Sequence, residues 1–134
     1  MTECVEIEVS CALIVKDERL LATRRSEGMP HALKWEFPGG KLKEGESPVD
    51  SIIREIREEL GIGISVHKAL LPVSHDYPSH RIRLYPFICE VDEGSISLAE
   101  HQECLWVEYS KLDGLDWLEA DLKVLEEFRK YNGA

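Results

Sequence analysis

Val5, Ile7, Val9, Cys11, Leu13 and Val15 alternate with mostly polar neighbours. Successive strand side chains point to opposite faces, so this period of two predicts a strand with one buried face. Residues 16–19 are polar and predict a turn. Residues 20–23 then form a second strand, closing a hairpin. Residues 24–34 are polar, contain Gly28 and Pro30, and predict a loop. Trp35-Glu36-Phe37 is a short extended piece that Pro38-Gly39-Gly40 breaks. Further strands are expected over residues 64–73, 81–91 and 104–109. In the second of these, Ile82, Leu84, Pro86 and Ile88 share one side. Pro86 lacks an N–H, which predicts an edge strand or a bulge there.

Two stretches change period. Val49, Ile52, Ile53, Ile56 and Leu60 recur at helical spacing. Ser47 suits the cap of this helix, Pro48 its first position, and Gly61 the left-handed residue that ends it. A second amphipathic helix is expected over residues 117–131, with Leu118, Leu122, Leu125 and Phe128 on one stripe and Asp116 as its cap. Strands, helix, strands, helix is the order of an α+β chain layered as an α/β/α sandwich. The 134 residues make a single domain, 1–134.

Composition narrows the partners. There are 16 Lys and Arg against 26 Asp and Glu, a net charge of −10. Such a field repels a phosphate backbone, which excludes non-specific binding to a nucleic-acid polymer. A small anion is still reachable where a divalent cation carries it in. No apolar run approaches the length that spans a bilayer, so no membrane partner is expected. Acidic residues stand near the N-terminus where a signal peptide would be basic, and the expected location is cytoplasmic. Cys4, Cys11, Cys89 and Cys104 have neither Cys-x-x-Cys nor zinc-finger spacing and read as reduced thiols, mostly buried.

The chemistry concentrates in residues 39–62. On the first helix Glu55, Glu58 and Glu59 fall within about 100° of one another at 3.6 residues per turn. Like charges at these spacings repel, and the helix dipole disfavours anions in the last turn. Arg54 and Arg57 relieve this only in part. Mg²⁺ or Mn²⁺, which prefer oxygen ligands, are the natural counter-charge.

The spacing goes further. Gly40, five residues, Glu46, seven residues and then Arg54-Glu55-Ile56-Arg57-Glu58-Glu59-Leu60-Gly61-Ile62 match the Nudix box at every constrained position. The chain therefore resembles the Nudix hydrolases. Residues 35–41, Thr23-Arg24-Arg25, Glu100-His101 and Trp106 resemble the MutT branch of that family. The resemblance implies a Nudix fold, with a mixed sheet between helices, and Mg²⁺-dependent hydrolysis of a nucleoside triphosphate to monophosphate and pyrophosphate. It implies Glu55, Glu58 and Glu59 as metal ligands, joined by the Gly39 carbonyl and by Glu100 as a further ligand or base. The general base is Glu55, Glu58 or Glu100. Arg54 pairs with Glu46 or Glu55 and holds loop to helix. Lys41 meets phosphate or stands in solvent. Arg25 matches a position that contacts the nucleotide, and Tyr77 a position where an aromatic lies near the base.

Asp121 departs from the branch. The 8-oxoguanine-specific bacterial member has asparagine at this position, which donates and accepts, whereas an ionised aspartate only accepts. That favours a cytosine-type or guanine-type base, since both offer amine donors. The substrates so implied are 8-oxo-dGTP, or CTP, dCTP and their 5-substituted forms. The working unit is a monomer or weak homodimer. The alternatives are a Nudix enzyme for a dinucleoside polyphosphate or nucleotide sugar, and a non-catalytic nucleotide-binding module. His75, His80 and His101 have no metal spacing and are expected to be exposed.

Overall fold

The computed structural model describes residues 5–99 and 103–133. Strand β1 (Glu6–Lys16) lies inside a mixed sheet. On one flank it runs parallel to β7 (His80–Glu93), from Glu6 opposite Arg81 to Ile14 opposite Cys89. On its other flank Val9–Cys11 pairs antiparallel with β4 (Gly39–Lys41), and its end pairs with β2 (Arg19–Arg24). The β1–β2 link is a two-residue turn with Asp17 and Glu18 at φ of 51° and 57°, the left-handed geometry that matches strand twist. β2 also pairs with β3 (Trp35–Glu36) and β8 (Glu103–Glu108).

Helix α1 (Pro48–Leu60) covers one face of the sheet and α2 (Glu119–Tyr131) the other. Ile52, Ile56 and Leu60 pack with Ala12, Ile14 and Phe87. Val124, Leu125 and Phe128 pack with Cys11, Leu13 and Ile88 on the opposite side. This is the expected layered α+β arrangement. It corrects one detail: residues 11–14 of β1 are buried on both faces, not one. A strand beside a parallel neighbour, with helices on both sides, has no solvent face to keep polar.

The ends of α1 are as expected. The Ser47 hydroxyl accepts from the Asp50 N–H, Pro48 opens the helix, and Gly61 closes it at φ 70° with its N–H on the Arg57 carbonyl. Val49 and Ile53, read as part of the buried stripe, are 41% and 39% exposed. They lie on the stripe's flank, away from the sheet.

Two other expectations are corrected. Residues 64–73 are not one strand but β5 (Gly63–Ala69) and the start of β6 (Val73–Tyr77), both antiparallel to β7. The chain turns a corner at Leu70-Leu71-Pro72, where Pro72 supplies no N–H to a ladder. Pro86 is therefore in an inner strand. The Leu70 N–H donates to its carbonyl at 2.9 Å. A strand residue's nitrogen and carbonyl point the same way, so the missing N–H faces the corner, where the ladder is already interrupted. In the second helix, Leu118 caps α2 without a side-chain bond, while Asp116 takes an ion pair from Lys34 Nζ at 2.7 Å. Leu122 is 46% exposed, and Ala120 and Val124 take its expected place in the core. Cys11 and Cys89 are buried free thiols and Cys104 is partly buried. Cys4 lies outside the described residues.

Candidate functional site

Close approach of three backbone segments creates the site. Gly39 and Gly40 stand opposite Cys11 and Ser10 across the β1–β4 pair. A Cβ on Gly39 would lie 1.9 Å from the Ser10 carbonyl oxygen. A Cβ on Gly40 would lie 2.3 Å from Glu55 Oε2. Glycine is needed at both positions for space: β4 lies against β1, and the Glu55 carboxylate lies on β4.

Arg54 knits this junction together. Its Nε and Nη2 donate to the two oxygens of Glu46 at 2.8 and 2.9 Å. Nη1 donates to Glu55 Oε1 at 2.8 Å and Glu58 Oε2 at 3.0 Å, and Nη2 reaches the Lys41 carbonyl at 3.2 Å. The guanidinium thus joins loop, β4 and helix, and it pairs with both expected partners as well as Glu58. Its bonds, with a further one from the Lys43 N–H, lower the pKa of Glu46 from 4.5 to about 2. The same partners raise the pKa of Arg54. Stability from Glu46 is therefore present above its ordinary carboxylate range and is lost as pH falls through about 2. Arg54→Ala should return Glu46 to that ordinary range in an NMR titration. A Glu46 that still titrates near about 2 would remove Arg54 as the cause.

Glu59, Gly39, Gly40 and Lys41 line a cavity of about 530 Å³. Arg25, Tyr77 and Asp121 line the same cavity, so the structure brings most of the expected site residues together. Glu55 packs behind Gly40, and Glu58 is exposed on the helix. Glu100 lies outside the described residues, as does His101. The chain leading to them is placed by the Ala99 N–H, which donates to the Glu59 carbonyl at 3.1 Å.

Arg25 is held internally: Nη1 donates to both oxygens of Glu36 at 3.0 and 3.1 Å, and Nε to the Pro30 carbonyl at 2.7 Å. Glu36, which also lines the cavity, is the residue that sequence reasoning missed. Its signal was a carboxylate alternating between the buried aromatics Trp35 and Phe37.

Asp121 is 4% exposed, and its Oδ1 accepts from the Phe37 N–H at 2.8 Å. Burial raises its pKa well above the carboxylate range, and the nearby Glu36 raises it further; the Phe37 N–H and Arg25 oppose this only in part. Burial thus works against the ionised acceptor expected from the sequence and toward the neutral acid. Burial likewise raises the Cys11 thiol pKa, so it is a packing group rather than a nucleophile.

Tyr77 is a cavity wall. Its ring lies 5.1 Å from His31, 4.6 Å from His75 and 5.4 Å from His80. His75 and His80 are accordingly partly buried rather than exposed, and His75 Nε2 is 2.8 Å from Glu119 Oε2.

Among the described residues, no three His, Cys, Asp or Glu side chains form a ready-made metal shell. The donor set nevertheless fits a hard cation: Glu55, Glu58, Glu59 and the Gly39 carbonyl all offer oxygen. The glycine cradle at residue 40 leaves the Glu55 carboxylate against bare backbone.

A NUDIX domain profile matches residues 6–128. The chain is 30% identical over 128 residues to the CTP pyrophosphohydrolase of Escherichia coli (strain K12), covering 96% of this chain and 95% of that one. It is 29% identical over 119 residues to the 8-oxo-dGTP diphosphatase of the same strain, covering 87% and 92%. Among solved structures, the MutT protein from Methanosarcina mazei Go1 matches with a TM-score of 0.87 at 29% identity, covering 100% of both chains.

Proposed function

Because the chain belongs to the NUDIX family of hydrolases, we propose that it hydrolyses a cytosine nucleoside triphosphate to monophosphate and pyrophosphate. The observation that carries the base assignment is the buried carboxyl of Asp121 in the cavity that Glu59 also lines. A neutral carboxyl offers one donor and one acceptor. Cytosine offers the complement, its ring nitrogen as acceptor and its exocyclic amine as donor. The pairing edge of ordinary guanine presents two adjacent donors, which suits an ionised carboxylate instead; an oxidised guanine, which asparagine reads in the MutT branch, also offers a donor beside an acceptor and is the competing substrate. The name of the Escherichia coli relative supports the same choice.

Glu55, Glu58, Glu59 and the Gly39 carbonyl would hold the metal, Mg²⁺ by preference with Mn²⁺ as a substitute, and Glu100 would add a ligand or act as base. When bound, the metal supplies charge neutralisation for the phosphates and lowers the pKa of water. Arg54 keeps Glu55 and Glu58 in place. Glu55, Glu58 or Glu100 accepts the proton of the attacking water. Tyr77 walls the base site, Arg25 anchors the loop over it through Glu36, and Lys41 meets phosphate. The partner is a small-molecule nucleotide, neither a nucleic-acid polymer nor a membrane. Among the described residues no helix is long and apolar enough to cross a membrane. We read the unit as one domain, monomeric or weakly dimeric, working in the cytoplasm.

The test is a panel of CTP, dCTP, 5-methyl-dCTP, dATP and 8-oxo-dGTP with Mg²⁺, with products identified. Preference for cytosine, giving monophosphate and pyrophosphate, is expected. Preference for 8-oxo-dGTP would overturn the base assignment and leave the reaction standing.

Asp121→Asn sharpens the point, since asparagine imitates the neutral acid. In the native chain, stability from Asp121 is full below the ordinary carboxylate range and is lost as pH rises through its raised folded pKa. The variant should be more stable than the native chain at neutral and alkaline pH, with a flatter stability profile. It should also keep its KM for CTP level where that of the native chain climbs with pH. A native KM that stays level while Asp121 titrates would separate this carboxyl from the base.

A further inference from the structure

One polar pair stands out in the apolar layer between α1 and the sheet. Ser10 and Ser51 are each 0% exposed, and their hydroxyl oxygens are 2.9 Å apart. Ala12 and Ile14 on β1 and Ile52 and Ile56 on α1, also 0% exposed, form the apolar cluster between the same two elements. Apolar contacts are non-directional and let a helix slide or roll by fractions of an ångström. A buried hydrogen bond does not, because either hydroxyl left alone there would lose its partner among the described residues, away from water.

The location gives the bond its consequence. Ser51 lies one helical turn before Glu55 and, at four residues' spacing, on the same side of α1. Ser10 lies opposite Gly40 in the β1–β4 register, and its carbonyl touches the space above Gly39. Helix carboxylates and the Gly39 carbonyl come from two separate elements, and Ser10 touches both. The Ser51 N–H is already taken by the Ser47 carbonyl at 2.9 Å, so the cap and the staple fix the same turn.

We infer that the Ser10–Ser51 hydroxyl pair is a positioning device: it sets the axial register of α1 on β1 and thereby the spacing between the Glu55 and Glu59 carboxylates and the Gly39 carbonyl. This rests on the reading of those oxygens as the metal site. Ser10 also lines the cavity, and in this inference the pair acts through the elements it joins rather than as a ligand.

The experiment measures Mn²⁺ binding by the loss of the free-ion EPR signal, with kcat, KM and Tm, in Ser10→Ala, Ser51→Ala and the double variant. Each single variant should bind Mn²⁺ about tenfold more weakly, as happens when supporting partners of metal ligands are lost. kcat should fall and KM for nucleotide should hold. The double variant is decisive, because removing both hydroxyls leaves no orphaned polar group. Its Tm should recover to the native value while its Mn²⁺ affinity stays weak. Mn²⁺ affinity that recovers together with Tm would reduce the pair to a stability element and overturn the inference, as would native affinity in all three variants. A native chain that takes up no Mn²⁺ would overturn the metal reading itself, and this inference with it.

Discussion

Glu59→Gln will lower turnover about a thousandfold, equivalent to about 4 kcal/mol of barrier, and leave the fold intact. The substitution keeps the shape and removes one negative charge. Glu59 is in the last turn of α1 and lines the cavity. A carboxylate there is opposed by the helix dipole and by Glu55 at i−4. On the proposed reading, what disappears is a hard ligand for the divalent ion that neutralises the phosphates. Mn²⁺ uptake should weaken in parallel, and excess Mg²⁺ should restore part of the rate. Full turnover in this variant would dismiss Glu59 from the site.

The second large effect is a contrast between neighbours. Gly39→Ala will unfold the chain or cost more than about 4 kcal/mol. Its Cβ meets backbone, the Ser10 carbonyl at 1.9 Å and Cys11 Cα at 2.7 Å, and relief requires β4 to leave β1. The nearest atoms to a Cβ at Gly40 are those of the Glu55 carboxylate, the far end of a flexible side chain. Glu55 can swing away, at the cost of its 2.8 Å bond to Arg54 Nη1. The fold should therefore survive with a loss of about 2 kcal/mol, the usual size for one bond between charged groups. Turnover should fall about a hundredfold, about 2.7 kcal/mol of barrier. Urea denaturation and kcat, measured on both variants, separate the two. Equal stability losses would show that the two glycines serve one purpose.

Local signals were legible wherever local chemistry decided the outcome. Ser47, Pro48 and Gly61 bound α1 because caps act within a turn. The carboxylate face followed from helical spacing alone. Tertiary competition hid the rest. Asp116 has the chemistry of a cap, but Lys34, distant in sequence, takes it. Leu122 has the right spacing for the core, yet α2 is rotated so that Ala120 and Val124 face the sheet instead. Pro86 is tolerated in an inner strand because a corner elsewhere in the chain removed its ladder partner. The protonation of Asp121 depends on burial and on Glu36, neither of which a residue's identity reveals.

The parallel pairing of β1 with β7 has a consequence for synthesis. Ile7 waits for Ile82, and Leu13 for Ile88, before either strand has that neighbour. On the ribosome α1 emerges first, with its Ile52–Ile56–Leu60 stripe lacking Phe87 and Cys89 against which to close. Contacts this distant in sequence fold slowly, because the loop must close before any of them forms. The nascent chain therefore carries an uncovered apolar helix and a β1 whose β7 flank is unpaired for most of its translation, and chaperone binding is expected in that interval. Shortening the nascent chain from its C-terminus past Ile88 should abolish protease resistance everywhere at once rather than domain edge by domain edge.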